Sequence, residues 1–163
     1  MTHHRPALPA VLGLIALAVP VLIALALMSF TIGGAAELAG LTAAVFPVLP
    51  VVTAFLWVDR WEPEPPQLLL AAFLWGAGIS VLGASLINDA ATTGGGDQVA
   101  AVISAPVVEE AFKGAFLVGL LWLRRREIDG MVDGVVYAGL VAAGFAFIEN
   151  ILYFGRAFAV DGG

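Results

Sequence analysis

Five long apolar runs dominate the sequence, at residues 7–30, 38–58, 68–87, 99–123 and 131–154. The last can be extended through Arg156 to about residue 160. Each approaches or exceeds the ~20 residues that an α-helix needs to cross a bilayer. The runs are apolar on every face and too long for the short alternating segments of a membrane barrel. They specify an all-α fold, a polytopic transmembrane helix bundle of about five spanning helices in a single membrane domain over residues 1–163. Composition agrees. The chain is 61% hydrophobic and only 12% charged, against about 25% charged in a soluble domain. That is too little charge to coat a soluble surface, and too much apolar content for a disordered chain. The partner implied first is the lipid bilayer.

The first run holds 24 residues without a charge. A secretory h-region has roughly 7–15, so this run reads as a retained helix. Arg5, Arg60, Arg124, Arg125 and Arg126 all fall on one side of a five-helix arrangement, and only Arg156 falls on the other. This positive-inside bias predicts a cytoplasmic N-terminus. Zero cysteines exclude disulfides, thiolate metal sites and a cysteine nucleophile. A net charge of −6 with seven basic residues argues against nucleic acid as a partner. The two histidines, His3 and His4, sit beside Arg5 and read as a solvated terminus.

The connector Asp59-Arg60-Trp61-Glu62-Pro63-Glu64-Pro65-Pro66 is stiffened by its three prolines. In the third run, Ala72, Gly76, Ser80 and Ala84 recur at four-residue spacing. Such small residues let membrane helices approach closely.

Charges inside a spanning helix cost several kcal/mol and mark function by default, about 2.5–3.5 kcal/mol each on insertion scales. Four qualify: Glu109, Glu110, Lys113 and Glu149. Glu109 and Lys113 are one turn apart and can pair along one face. Glu110 is turned about 100° from Glu109, so the two carboxylates point in different directions. Pro106 predicts a kink just before them. Glu110 lies eleven residues after Val99, and Glu149 eleven before Val160. Both are then about 17 Å from the same membrane face, and share a layer if the last helix reaches residue 160. Carboxylates at one depth, with Asn150 beside them, suit a divalent metal or a shared proton. A metal-bound water would be the nucleophile, with another glutamate as general base. Plainer roles are open too. Glu109–Lys113 could be a buried ion pair, Asn150 an interhelical hydrogen bond, and Asp133 and Tyr137 interfacial anchors.

Four segments in this order resemble the PrsW family of intramembrane proteases. They are Asp59-Arg60-Trp61-Glu62-Pro63-Glu64-Pro65, Pro106-Val-Val-Glu109-Glu110-Ala-Phe-Lys113, Asp133-Gly134-Val-Val-Tyr137-Ala-Gly139, and Gly144-Phe145-Ala-Phe-Ile-Glu149-Asn150-Ile-Leu-Tyr153. The resemblance implies a metal-dependent membrane endopeptidase, similar in layout to the CAAX-type membrane proteases. It implies catalytic roles for Glu109, Glu110 and Glu149, with the general base among the first two. It implies metal ligation by Glu110 and Glu149, and support from Lys113, Asn150, Asp133 and Tyr137. The implied cofactor is a divalent metal, zinc being one candidate. The implied substrate is a membrane-anchored protein of the anti-sigma-factor kind. Members of the family usually continue with histidine-bearing helices, and no histidine follows His4 here. The chain therefore reads as the N-terminal part of a longer protease domain. The contrasting reading is a non-catalytic membrane module, either an ion or proton pathway or a substrate-binding scaffold, since intramembrane acids also line ion paths.

Overall fold

The computed structural model describes residues 8–93, 98–128 and 130–161. His3, His4 and Arg5 lie outside them. All the regular structure among these residues is helical. Helices α1 (Leu8–Ile32) and α2 (Gly34–Asp59) are followed by α3 (Pro66–Leu74), a π-helical segment (Trp75–Ser80) and α4 (Val81–Thr93). Helix α5 (Gln98–Leu123), a short 3₁₀ turn (Arg125–Glu127) and α6 (Met131–Asp161) complete the chain. Among the described residues, four rods are long and apolar enough to cross a membrane: Leu8–Ile32, Gly34–Asp59, Pro66–Ala91 and Met131–Val160. The protein is a multi-pass membrane protein. The expected span at 99–123 forms as α5, but any membrane-length stretch of it includes Glu109, Glu110 and Lys113.

The helices outrun the apolar stretches that announce them. Helix α2 starts at Gly34, upstream of Glu37, because Glu37 falls in the first turn and accepts a hydrogen bond from the Ser29 hydroxyl of α1. The α1–α2 connection is therefore one residue, Gly33, whose φ of 84° favours glycine. The α3–π–α4 rod continues past Ile87 to Thr93 and carries Asn88 and Asp89 in helix. Helix α6 takes the longer of its two alternatives. Pro106 sits inside α5 without ending it.

Helix α6 is the centre of the bundle, packed mainly on α2 and on the α3–π rod. Two crossings of α6 bring backbone against backbone. At one, a side chain on Gly40 would meet the Ile151 carbonyl and Gly155, and one on Gly155 the Ala36 carbonyl. At the other, Gly76 faces Val141 and Phe145, and Gly144 faces Phe73 and Ala77. Ala72, Gly76, Ser80 and Ala84 are all buried, as their spacing predicts. The core falls into two clusters. One surrounds Tyr137, Val136 and Leu140, and the other surrounds Ile148, Ile151 and Ala77. Small residues suit this role, because association inside a bilayer depends on van der Waals fit rather than on water exclusion.

Candidate active site

Midway along α6, at its junction with α4, α5 and α1, lies a cavity of about 110 Å³. Its polar wall consists of Glu149 from α6, Glu109 from α5, and Ser85 and Asn88 from α4. Met28, Val81, Phe145 and Leu152 form the apolar wall. Glu109 is eleven residues into α5, and Glu149 is twelve from the end of α6. Both are then about 17–18 Å from the same end of the bundle. Two carboxylates, an amide and a hydroxyl thus share one half-enclosed chamber.

Local packing brings α5 to this position. The Trp75 indole N–H donates to the Phe112 carbonyl at 2.9 Å, tying the π segment to α5. The Phe112 ring lies where any side chain on Gly83 would collide with it. A π turn widens the backbone and occurs frequently at functional sites. Here it immediately precedes the stretch of α4 that supplies Ser85 and Asn88.

The paired acids divide differently from the expected pattern. Lys113 pairs with Glu110, three residues away, at 2.9 Å, and not with Glu109. Glu110 is 72% exposed at its side chain, on the open side of α5 and outside the cavity lining. Glu109, not Glu110, faces Glu149. The 100° between successive helical residues leaves room for only one of them in the chamber. The Lys113 ammonium also stands 3.8 Å over the ring of Phe145, a cavity residue, which places its charge beside the chamber wall. Asn150 is half-buried on another face of α6 and does not line the cavity. Asn88 takes the amide's place. It was hidden in the sequence because the apolar run ends at Ile87, which made Asn88 look like a loop residue.

Asp133 and Tyr137 lie at the opposite end of α6, with Tyr137 about 18 Å from Glu149 along the helix. They belong to a separate cluster. The buried Tyr137 hydroxyl donates to Glu64 Oε2 at 2.7 Å, and the Glu64 N–H donates to Asp59 Oδ1 at 3.1 Å. Asp133 Oδ2 accepts from the Gly130 N–H at 2.8 Å and caps the start of α6. These contacts fasten the Asp59–Pro66 connector to α6. Burial pushes the Glu64 carboxyl above the usual carboxylate range. The Tyr137 hydrogen bond opposes that shift, and neighbouring Asp133, Glu127 and Asp59 reinforce it.

Fold and site together define a polytopic membrane protein with a carboxylate-lined chamber at mid-depth. The profile of the PrsW family intramembrane metalloprotease matches residues 64–163, and the chain belongs to that family. It is 27% identical over 115 residues to the Protease PrsW of Bacillus subtilis (strain 168), covering 69% of this chain and 52% of that protein. It is 33% identical over 116 residues to the Protease PrsW of Geobacillus kaustophilus (strain HTA426), covering 69% and 51%. The chain spans about half the length of the curated relatives it matches. No solved structure matches it.

The family's description implies a metal. Among the described residues, no three His, Cys, Asp or Glu side chains are placed to hold a metal ion together. The chamber offers two carboxylates, an amide and a hydroxyl, all of them oxygen donors. Structural and catalytic zinc sites are built mainly on nitrogen and sulfur ligands, with three or four from protein. These residues alone do not make a zinc site.

Proposed function

We propose that this chain forms the carboxylate half of an intramembrane endopeptidase that hydrolyses a peptide bond in a membrane-anchored protein. The observation that carries the reading is the sharing of one mid-depth cavity by Glu109 and Glu149. One of the two carboxylates takes a proton from water as the water attacks the scissile carbonyl, and gives that proton to the departing amine as the C–N bond breaks, so it ends in the state in which it began; the other orients the water. The Asn88 amide, which also lines the chamber, supplies an N–H donor for a carboxylate or for the developing oxyanion. The Lys113 ammonium keeps Glu110 occupied and its charge close to the chamber wall. If a metal takes part, Glu109 and Glu149 are the ligands this segment supplies, and the set is completed from outside these residues. This replaces Glu110 by Glu109 in the expected ligand pair. Arg60 and Arg124–Arg126 lie on the cytoplasmic side in this reading, and the substrate is of the anti-sigma-factor kind.

The test is cleavage of a membrane-anchored reporter by the whole protein. Glu149→Gln and Glu109→Gln should each reduce cleavage by at least about 100-fold, the lower range for loss of an acid–base group. Glu110→Gln should reduce it less. Full cleavage by both Glu109→Gln and Glu149→Gln would sink the assignment.

A further inference from the structure

A second cavity, of about 490 Å³, lies between α2, α3 and α6. It is lined only by apolar side chains, among them Leu56, Pro66, Leu70, Phe73, Leu140 and Phe147. Phe147 is turned about 160° around α6 from both Phe145 and Glu149. The groove therefore opens on the reverse side of α6 from the carboxylate chamber. A peptide lying in it would not reach Glu109 or Glu149, so the groove does not suit a substrate helix.

The groove ends at the Asp59–Pro66 connector, since Leu56 and Pro66 flank that segment and both line the wall. Arg60 stands there, exposed, with its guanidinium 4.6 Å from the Trp57 ring centre and 4.4 Å from that of Trp61. Two aromatic faces hold the cation in place with its edge free for hydrogen bonding. Of the connector's carboxylates, Asp59 is buried and accepts from the Glu64 N–H, and Glu64 accepts from Tyr137. Glu62 is exposed. Among the charged residues of the connector, the exposed ones are therefore Arg60 and Glu62, two residues apart. Tryptophans of this kind mark the level of the lipid headgroups.

We infer that this groove is a binding site for a zwitterionic aminophospholipid of the phosphatidylethanolamine type. An acyl chain lies along Leu56, Leu70 and Phe147, the phosphate accepts from Arg60, and the primary ammonium donates to Glu62. An anionic headgroup would satisfy Arg60 but be repelled by Glu62. A choline headgroup carries the charge but has no N–H to donate. The site therefore selects on both charges of the headgroup.

Native mass spectrometry of the full-length protein, released from nanodiscs of equimolar phosphatidylethanolamine, phosphatidylglycerol and phosphatidylcholine, tests this. The unaltered protein should retain phosphatidylethanolamine roughly threefold over either competitor, the scale of an exposed charge contact. Arg60→Ala should erase that preference. Glu62→Gln should erase the discrimination against phosphatidylglycerol. Leu70→Trp, which fills the groove from an exposed position, should lower retention of all three lipids. Equal retention of the three lipids by the unaltered protein would overturn the proposal, as would an unchanged pattern in Arg60→Ala. A second copy or another polypeptide seated in the groove and displaced by Leu70→Trp would also overturn it. The readout is independent of cleavage, so it stands or falls apart from the protease reading.

Discussion

Replacing Gly144 by alanine tests the crossing that holds the carboxylate chamber together. A Cβ at this position would be driven into the Phe73 carbonyl oxygen, 2.9 Å from the Phe73 carbonyl carbon and 3.0 Å from the Ala77 nitrogen. All three are backbone atoms of a helix, so no rotamer change relieves the contact. Ordinary van der Waals separation for such a pair begins near 3.4 Å. Helix α6 and the α3–π rod must then separate by several tenths of an ångström or more. Inserting a methyl into a filled interface costs about 1–3 kcal/mol. Alanine's helix propensity offsets little of this, because the chain keeps its helices in the bilayer even when they are apart. The catalytic consequence is larger in relative terms. Glu149 is five residues along the same helix, and a 1 Å misplacement can reduce a rate by about 100-fold. Gly134→Ala is the matched control, in the same helix but with nothing within 4 Å of the added atom. Unfolding in mixed micelles should show Gly144→Ala destabilised by about 1–3 kcal/mol and Gly134→Ala unchanged. Cleavage should fall only in the first. Equal stability of the two variants would refute the backbone-to-backbone crossing.

Trp75→Phe removes the indole donor to Phe112 and should cost about 1 kcal/mol, with reduced cleavage because α5 loses its tie to the π segment; stability and rate equal to the parent would show the tie to be idle. Tyr137→Phe deletes the 2.7 Å bond to Glu64 and leaves a half-buried carboxylate without that donor, a loss of about 1–3 kcal/mol and faster proteolysis at the Asp59–Pro66 connector. Glu64 also predicts a pH dependence. Its carboxyl is raised by burial and by its acidic neighbours, so between the ordinary carboxylate range and the raised value the folded state binds more protons than the unfolded one. Stability should then rise as pH falls through that window and decline as pH rises through it; Glu64→Gln should flatten this profile, and an unchanged slope would refute the role of this group.

Much of the fold could be read from apolar run length, because a bilayer requires each spanning segment to satisfy its own backbone. The helix ends could not. Polarity marks where a side chain meets water or a partner, not where backbone hydrogen bonding stops. Glu37 sits inside a helix because Ser29 receives it. Asn88 sits inside one because the chamber does. The π segment at Trp75–Ser80 had no visible signature beyond Gly76 and Gly78. Those glycines also suit an ordinary close-packed α-helix, and only the packing against α1, α5 and α6 distinguishes the two.

The depth of the site was legible and its rotation was not. Depth follows from counting residues at 1.5 Å each from a helix end, which places residues 109, 110 and 149 in one layer. Rotation requires knowing which side of α5 meets α6. Apart from Lys113, the residues around Glu109 and Glu110 are apolar on every side, so no hydrophobic stripe sets the phase. The structure sets it through Phe112 against Gly83 and Trp75 against the Phe112 carbonyl. With Phe112 fixed toward the π–α4 rod, Glu109 is three residues upstream, about 60° away, and Glu110 is two upstream, about 160° away. Glu109 therefore enters the chamber and Glu110 points outward to Lys113. A carboxylate on that outward face is tolerable at this depth only beside a cation, water or further protein. Lys113 supplies the cation, and the same ammonium over Phe145 links the outward ion pair to the chamber wall.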